Sequence, residues 1–91
     1  MGERTHEPIF PGFAEMAARR RALSAELVQR RLDQGLSQTE VAARMGTSQS
    51  AVARVESGRG DVRLSTLERY AAALDQRLDF RLSEREDDDR T

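Results

Sequence analysis

Apolar residues recur at the spacing of α-helices over most of the chain, and glycines or small polar residues mark where each helical pattern ends. A long pattern covers about residues 13–33, with Gly35 as its stop signal and a break near Ser24 left open. Its apolar side consists of Met16, Leu23, Leu27 and Leu32. The sequence therefore predicts a long amphipathic helix ahead of shorter ones.

Two short helices are predicted next, between Leu36 and Gly58. The first begins at Ser37, whose hydroxyl can form a reciprocal capping box with Glu40, and it ends at Gly46. Its inward stripe consists of Val41, Ala42 and Met45. Because Ala42 is small, a second helix can cross close to it.

The second short helix is capped by Thr47 or Ser48 and runs to about Ser57. Its inward residues are Val52 and Val55. Its opposite face carries Gln49, Ser50, Ala53 and Arg54. Small polar residues at the start of such a helix suit entry into the major groove of DNA. The alternative is a helical hairpin whose polar face meets only solvent.

This segment resembles the helix-turn-helix of the lambda repressor and Cro superfamily, also called the XRE family. The matching residues are Leu36, Ser37, Gln38, Val41, Ala42, Met45, Gly46, Gln49, Ser50, Val52, Val55, Glu56 and Gly58. With less specificity the resemblance extends over about residues 23–82. It implies a mainly α fold, a lambda-repressor-like bundle of four to five helices. Thr47 departs mildly from the pattern, since many relatives carry an aliphatic residue there.

The resemblance also implies roles for individual residues. The helix that starts near Ser48 would be the recognition helix, and Gln38 would lie beside a phosphate. Gln38 and Gln49 match a glutamine pair that cooperates at one adenine in well-known members. Arg54 is a candidate for a phosphate or a guanine. The full set of candidate DNA-binding residues is Gln38, Arg44, Thr47, Ser48, Gln49, Ser50, Ala53, Arg54 and Arg59.

The C-terminal part predicts one more helix and then a change of periodicity. The helix begins at Ser65 with a capping box to Glu68 and a staple at Leu64, and its inward residues are Leu67, Ala71 and Leu74. Residues 77–82 alternate polar and apolar positions, which favours a short strand. The alternative is that this segment extends the helix.

A strand at residues 77–82 would need a partner, and the economical partner is the same strand of a second copy. Its apolar face would consist of Leu78, Phe80 and Leu82, which are the candidate dimerisation residues. This ending resembles the HipB and HigA branch of the superfamily, antitoxins in which a C-terminal strand can contribute to dimerisation. The sequence thus predicts a homodimer.

Composition and charge fit one small DNA-binding domain. Residues 1–11 are expected to form a flexible arm, residues 12–82 the domain, and residues 83–91 a disordered charged tail. The net charge is −1, yet residues 19–63 hold nine arginines against five acidic residues. Local charge governs docking to DNA, so the total does not oppose it. The absence of cysteine and of a membrane-length apolar run suits a cytoplasmic, nucleoid-associated protein.

No set of residues predicts catalysis, a cofactor or a metal site. His6 is the single histidine and falls in the predicted arm, and residues 87–89 form an acidic run without a cleft. The favoured function is a transcriptional repressor that binds double-stranded DNA at an inverted repeat as a dimer. The second is the antitoxin of a toxin–antitoxin pair, with a cognate toxin as a further partner. The third is a protein-binding adaptor that has lost DNA contact.

Overall fold

The computed structural model describes residues 12–84, which form four α-helices. They are α1 (Phe13–Asp33), α2 (Gln38–Met45), α3 (Gln49–Ser57) and α4 (Leu64–Ala73). The predicted mainly α bundle with a helix-turn-helix is confirmed. The predicted arm at residues 1–11 and the tail beyond residue 84, including His6 and the acidic run at 87–89, lie outside the described residues.

Helix α1 runs without a break through Ser24. The Ser24 hydroxyl donates a 2.9 Å hydrogen bond to the backbone carbonyl of Val55, so this buried polar group is satisfied by α3. The inward residues of α1 are Ser24, Leu27 and Arg31, spaced at i, i+3 and i+7. This phase places Leu32 outside the stripe, and Leu32 is 54% exposed.

The core lies where the C-terminal half of α1 meets the three shorter helices. Its buried apolar residues are Leu27, Val41, Ala42, Val52, Val55, Tyr70, Ala71 and Leu74. The 21 residues of α1 span about 32 Å, more than the short helices can cover. Met16, predicted to face the core, is therefore 41% exposed, and the prediction for Met16 and Leu32 is wrong.

The N-cap of helix α4 lies two residues before the predicted cap, Ser65. This N-cap is Arg63, which makes no side-chain capping bond. Ser65 consequently lies inside the first turn, so the predicted capping box between Ser65 and Glu68 is not formed. Leu64 is 53% exposed and does not form a buried staple. The inward positions Ala71 and Leu74 are confirmed as buried.

Residues 77–84 contain neither the predicted strand nor an extension of α4. The helix ends because Asp75 adopts a left-handed conformation (φ 59°), and the Gln76 N–H then bonds to the Ala71 carbonyl at 2.8 Å. A strand requires a second strand bonded beside it, whereas the part of residues 12–84 that lies beside residues 77–82 is helix α1. Leu78 packs against the core, whereas Phe80 is 53% exposed and Leu82 fully so. The homodimer itself stays a prediction.

Candidate nucleic-acid interface

The turn between α2 and α3 fixes the direction of the candidate recognition helix. Gly46 adopts a left-handed conformation (φ 72°), and the Thr47 N–H bonds back to the Ala42 carbonyl at 2.9 Å. Ser48 is the N-cap of α3, and its hydroxyl accepts from the Ala51 N–H at 3.1 Å. Of the two predicted caps, Ser48 is the one used, because only its side chain reaches a free N–H of the first turn.

The outer face of α3 carries the side chains that the sequence assigned to it. Val52 and Val55 are buried, so the opposite face must point away from the core. Gln49, Ser50 and Arg54 are exposed and Ala53 is half-buried. An open groove of about 750 Å³ runs beside this face. It is lined by Ser48, Ser50, Ala51, Arg54 and Val55 on one side and by Asp61, Val62, Arg63 and Thr66 on the other.

Gln38 and Gln49 are brought together across the two helices. Gln38 is the first residue of α2 and Gln49 the first residue of α3. The Gln49 Nε2 donates a hydrogen bond to the Gln38 Oε1. The Gln38 Nε2 in turn donates to the Glu56 Oε1 at 2.8 Å. The pair that the sequence singled out is therefore a hydrogen-bonded unit in the structure.

Glu56 lies behind this pair in a network that joins all four helices. Arg31 of α1 binds its carboxylate through two nitrogens, Nε to Oε2 at 2.7 Å and Nη2 to Oε1 at 3.1 Å. The Tyr70 hydroxyl of α4 donates to Oε2. The third guanidinium nitrogen of Arg31 donates to the Leu36 carbonyl at 2.7 Å. The side chains of Arg31 and Glu56 are only 11% and 7% exposed.

The network determines the charge state of its members. Burial acts to raise the pKa of Glu56, but hydrogen bonds from Arg31, Tyr70 and Gln38 outweigh it and lower that pKa. Hydrogen bonding to Glu56 raises the pKa of Arg31. Burial and the neighbouring Glu56 carboxylate raise the pKa of Tyr70. At neutral pH Glu56 is an anion, Arg31 is a cation and Tyr70 keeps its proton.

Two of the candidate arginines lie away from the glutamine pair. The Arg44 guanidinium donates to the Ala73 carbonyl at 2.8 Å, in a cleft that Arg69 and Asp75 also line. This bond satisfies one of the backbone carbonyls at the C-terminal end of α4. Arg59 is exposed in the loop after Gly58. The structure does not bring either arginine to the first turn of α3.

Arg31, Glu56 and Tyr70 were not predicted as site residues. The sequence signal that could have identified them is their spacing from the inward apolar residues of the same helix. Arg31 follows Leu27 by four residues, and Tyr70 follows Leu67 by three, which puts both on inward stripes. An arginine in such a position requires a buried acid, and Glu56 follows Val52 by four on α3.

Among residues 12–84 no group of histidine and acidic side chains is placed to hold a metal ion. In the same part of the chain no helix has the length and hydrophobicity needed to cross a membrane.

The fold and this arrangement of α2 and α3 define a helix-turn-helix protein. The helix-turn-helix family model matches residues 27–80, more than half of the chain. The chain belongs to this family, in its XRE-type branch, which is one of DNA-binding regulators and antitoxins and not of enzymes.

Among curated proteins the chain is similar to Antitoxin HigA1 from two strains of Mycobacterium tuberculosis. Each is 47% identical to it over 72 residues, which is 79% of this chain and 48% of the relative. The chain thus spans about half the length of the curated relatives it matches. No solved structure is a significant match to it.

Proposed function

We propose that the protein is a sequence-specific transcriptional regulator, a repressor that binds an inverted-repeat operator as a homodimer in the cytoplasm, on the nucleoid. The observation that carries this proposal is the exposed first turn of α3, where Gln49 is held by Gln38. N-terminal residues of a recognition helix are the ones that contact base edges in the major groove. Nothing in the proposal requires catalysis or a cofactor.

Base recognition is assigned to Gln49 and Ser50, with Ala53 beside them. A glutamine amide can bond an adenine at two positions, and its loss costs roughly 1–3 kcal/mol at that base pair. Selection from random DNA followed by binding to single-base variants tests this with the Gln49→Ala protein. Gln29→Ala is the matched control, because Gln29 is exposed on α1 and bonds only to Asp33 among its described contacts. Unchanged selectivity in Gln49→Ala would refute the assignment.

Phosphate contacts are assigned to the edges of the same surface. The candidates are Gln38 at the start of α2, Thr47 and Ser48 in the turn, Arg54, and more remotely Arg44 and Arg59. Loss of an arginine that contacts a phosphate should weaken all sequences alike and lower the salt slope by about 0.9. For Arg54→Ala, an unchanged slope with altered base preference would reassign Arg54 to a guanine.

A homodimer is proposed because one helix-turn-helix covers too few base pairs for useful specificity. Its two recognition helices would be about 34–36 Å apart, one turn of DNA. Exposed apolar side chains supply a surface for a second copy. They are Met16, Phe80 and Leu82, and the segment around Leu82 lies beside the start of α1.

Sedimentation of the Phe80→Asp protein tests the dimer. We expect monomers with unchanged helix content and much weaker operator binding. Leu64→Asp is the control, since Leu64 is equally exposed but lies at the start of α4. A monomeric parent protein at micromolar concentration, or a dimeric Phe80→Asp protein, would overturn this part of the proposal.

The second candidate function is an antitoxin that represses its own operon and neutralises a toxin. The similarity to Antitoxin HigA1 favours it. Co-expression with the product of the adjacent gene tests it. Growth rescue together with a stable complex on gel filtration would support this function. Operator binding without growth rescue or a stable complex would support the repressor function and refute the antitoxin function. Absence of DNA binding by the folded protein would favour a protein-binding adaptor.

A further inference from the structure

Glu56 connects the interior of the protein to the side chain proposed to recognise a base. Hydrogen bonds lead from the Arg31 guanidinium and the Tyr70 hydroxyl to the Glu56 carboxylate, then to Gln38, and then to Gln49. Glu56 and Gln49 share no direct bond in this chain of contacts. The hydrogen-bonded route from Glu56 to Gln49 therefore passes through the amide of Gln38.

The carboxylate dictates which way the Gln38 amide faces. An ionised carboxylate only accepts hydrogen bonds, so the atom of Gln38 that faces it must be the nitrogen. The Gln38 oxygen is then directed to Gln49 and can be met only by a donor. Gln49 accordingly gives it one N–H.

Among the bonds of residues 12–84, the Oε1 and the second N–H of Gln49 are left free. This pair of one acceptor and one donor matches the adenine N6 amino group and N7. With the Gln38 amide reversed, Gln49 would turn its oxygen inward and present two N–H donors outward. Two donors match the N7 and O6 acceptors of guanine instead.

We propose that Glu56 is a positioning residue that fixes the polarity of the Gln38–Gln49 pair and thereby directs Gln49 to adenine. The inference rests on the proposed function, because it assigns the base preference of that same site. Glu56 is suited to this role since its own orientation is fixed, with both carboxylate oxygens bonded and the side chain 7% exposed. Hydrogen bonds from Arg31, Tyr70 and Gln38 lower the pKa of Glu56 and so keep it ionised.

The test compares Glu56→Gln with Tyr70→Phe. Glutamine keeps the size of Glu56 but carries both a donor and an acceptor, so it permits either orientation of Gln38. Tyr70→Phe removes a bond to the other carboxylate oxygen and leaves the acceptor that faces Gln38. Binding is measured to operator duplexes that differ only at the base pair contacted by Gln49, together with a random duplex.

The parent protein should prefer adenine over guanine by roughly 5- to 150-fold, the value of one bidentate contact. Glu56→Gln should lose most of that preference while binding the random duplex like the parent, and Tyr70→Phe should keep it. A merely structural role would weaken all duplexes together and leave their ratio unchanged. Should Glu56→Gln fail to fold, Arg31→Met/Glu56→Gln removes the unpaired charge and must show the same loss of preference.

The outcomes separate this inference from the proposed function. A parent protein whose base preference is independent of Gln49 overturns both. A parent with the adenine preference, lost in Gln49→Ala but retained in a folded Glu56→Gln protein, overturns the role of Glu56 alone. A preference that moves from adenine towards guanine in Glu56→Gln supports the polarity argument directly.

Discussion

Replacing Arg31 by methionine removes three hydrogen bonds from the interior of the protein. Two go to the Glu56 carboxylate and one to the Leu36 carbonyl, at 2.7, 3.1 and 2.7 Å. The variant leaves an anion whose side chain is 7% exposed without its cation. Breaking one partner of a buried ion pair costs on the order of 3–5 kcal/mol. Since small domains have about 5–15 kcal/mol in total, Arg31→Met should lose a large fraction of its stability.

Urea unfolding followed by circular dichroism, at several protein concentrations to account for any dimer, measures this loss. Arg19→Met is the control, because the Arg19–Glu15 pair has a similar 3.1 Å separation but side chains that are 75% and 47% exposed. Its loss should be about 0.5 kcal/mol or less. Arg31→Met/Glu56→Leu should recover stability relative to Arg31→Met, since no unpaired charge remains. A cost for Arg31→Met as small as that of Arg19→Met would refute the reasoning.

Three further predictions concern stability. Ser37→Ala should cost about 1 kcal/mol in urea unfolding, because it removes the cap that accepts from the Glu40 N–H at 3.0 Å. Leu74→Ala should cost roughly 2–5 kcal/mol, since Leu74 is fully buried, whereas Leu64→Ala at a half-exposed site should change little. The pKa of Glu56 is lower in the folded state than in the unfolded state. Its contribution to the free energy of unfolding is therefore complete above the unfolded-state pKa of about 4.3, and it is lost as pH falls through the folded-state pKa. A pH series of unfolding midpoints should therefore show an acid-side decline that Glu56→Gln reduces; an identical decline in both proteins would contradict this.

The helix boundaries could be predicted where the stop and start signals are local. Ser37 with Glu40, and the glycines at 46 and 58, determine the ends of α2 and α3 through bonds within a few residues. The start of α4 was misplaced because Ser65 and Glu68 also fit a capping box in sequence. Which of the two possible starts is used depends on how Leu67, Tyr70 and Leu74 are packed, and that is a tertiary effect.

The candidate site was predictable only for its outer layer. The outward position of Gln49 and Ser50 follows from the inward position of Val52 and Val55 on a helix of known period. The contact between Gln38 and Gln49 could be expected only from the family resemblance. Arg31 was missed because a charged residue is normally assigned to solvent, and its partner is 25 residues away.

The proposed base recognition would give the buried charge a role that stability alone does not. Well-packed apolar residues in place of a buried ion pair are often equally or more stabilising, so stability alone does not account for Arg31 and Glu56 in the interior. An apolar side chain at position 56 could fill the same space, but it would offer no acceptor, so the Gln38 amide could take either orientation. In the proposed function, a fixed acceptor behind Gln38 gives Gln49 a defined donor and acceptor edge for the base that it contacts. Arg31 then holds that acceptor ionised and immobile, and Tyr70 satisfies the oxygen that Gln38 does not use.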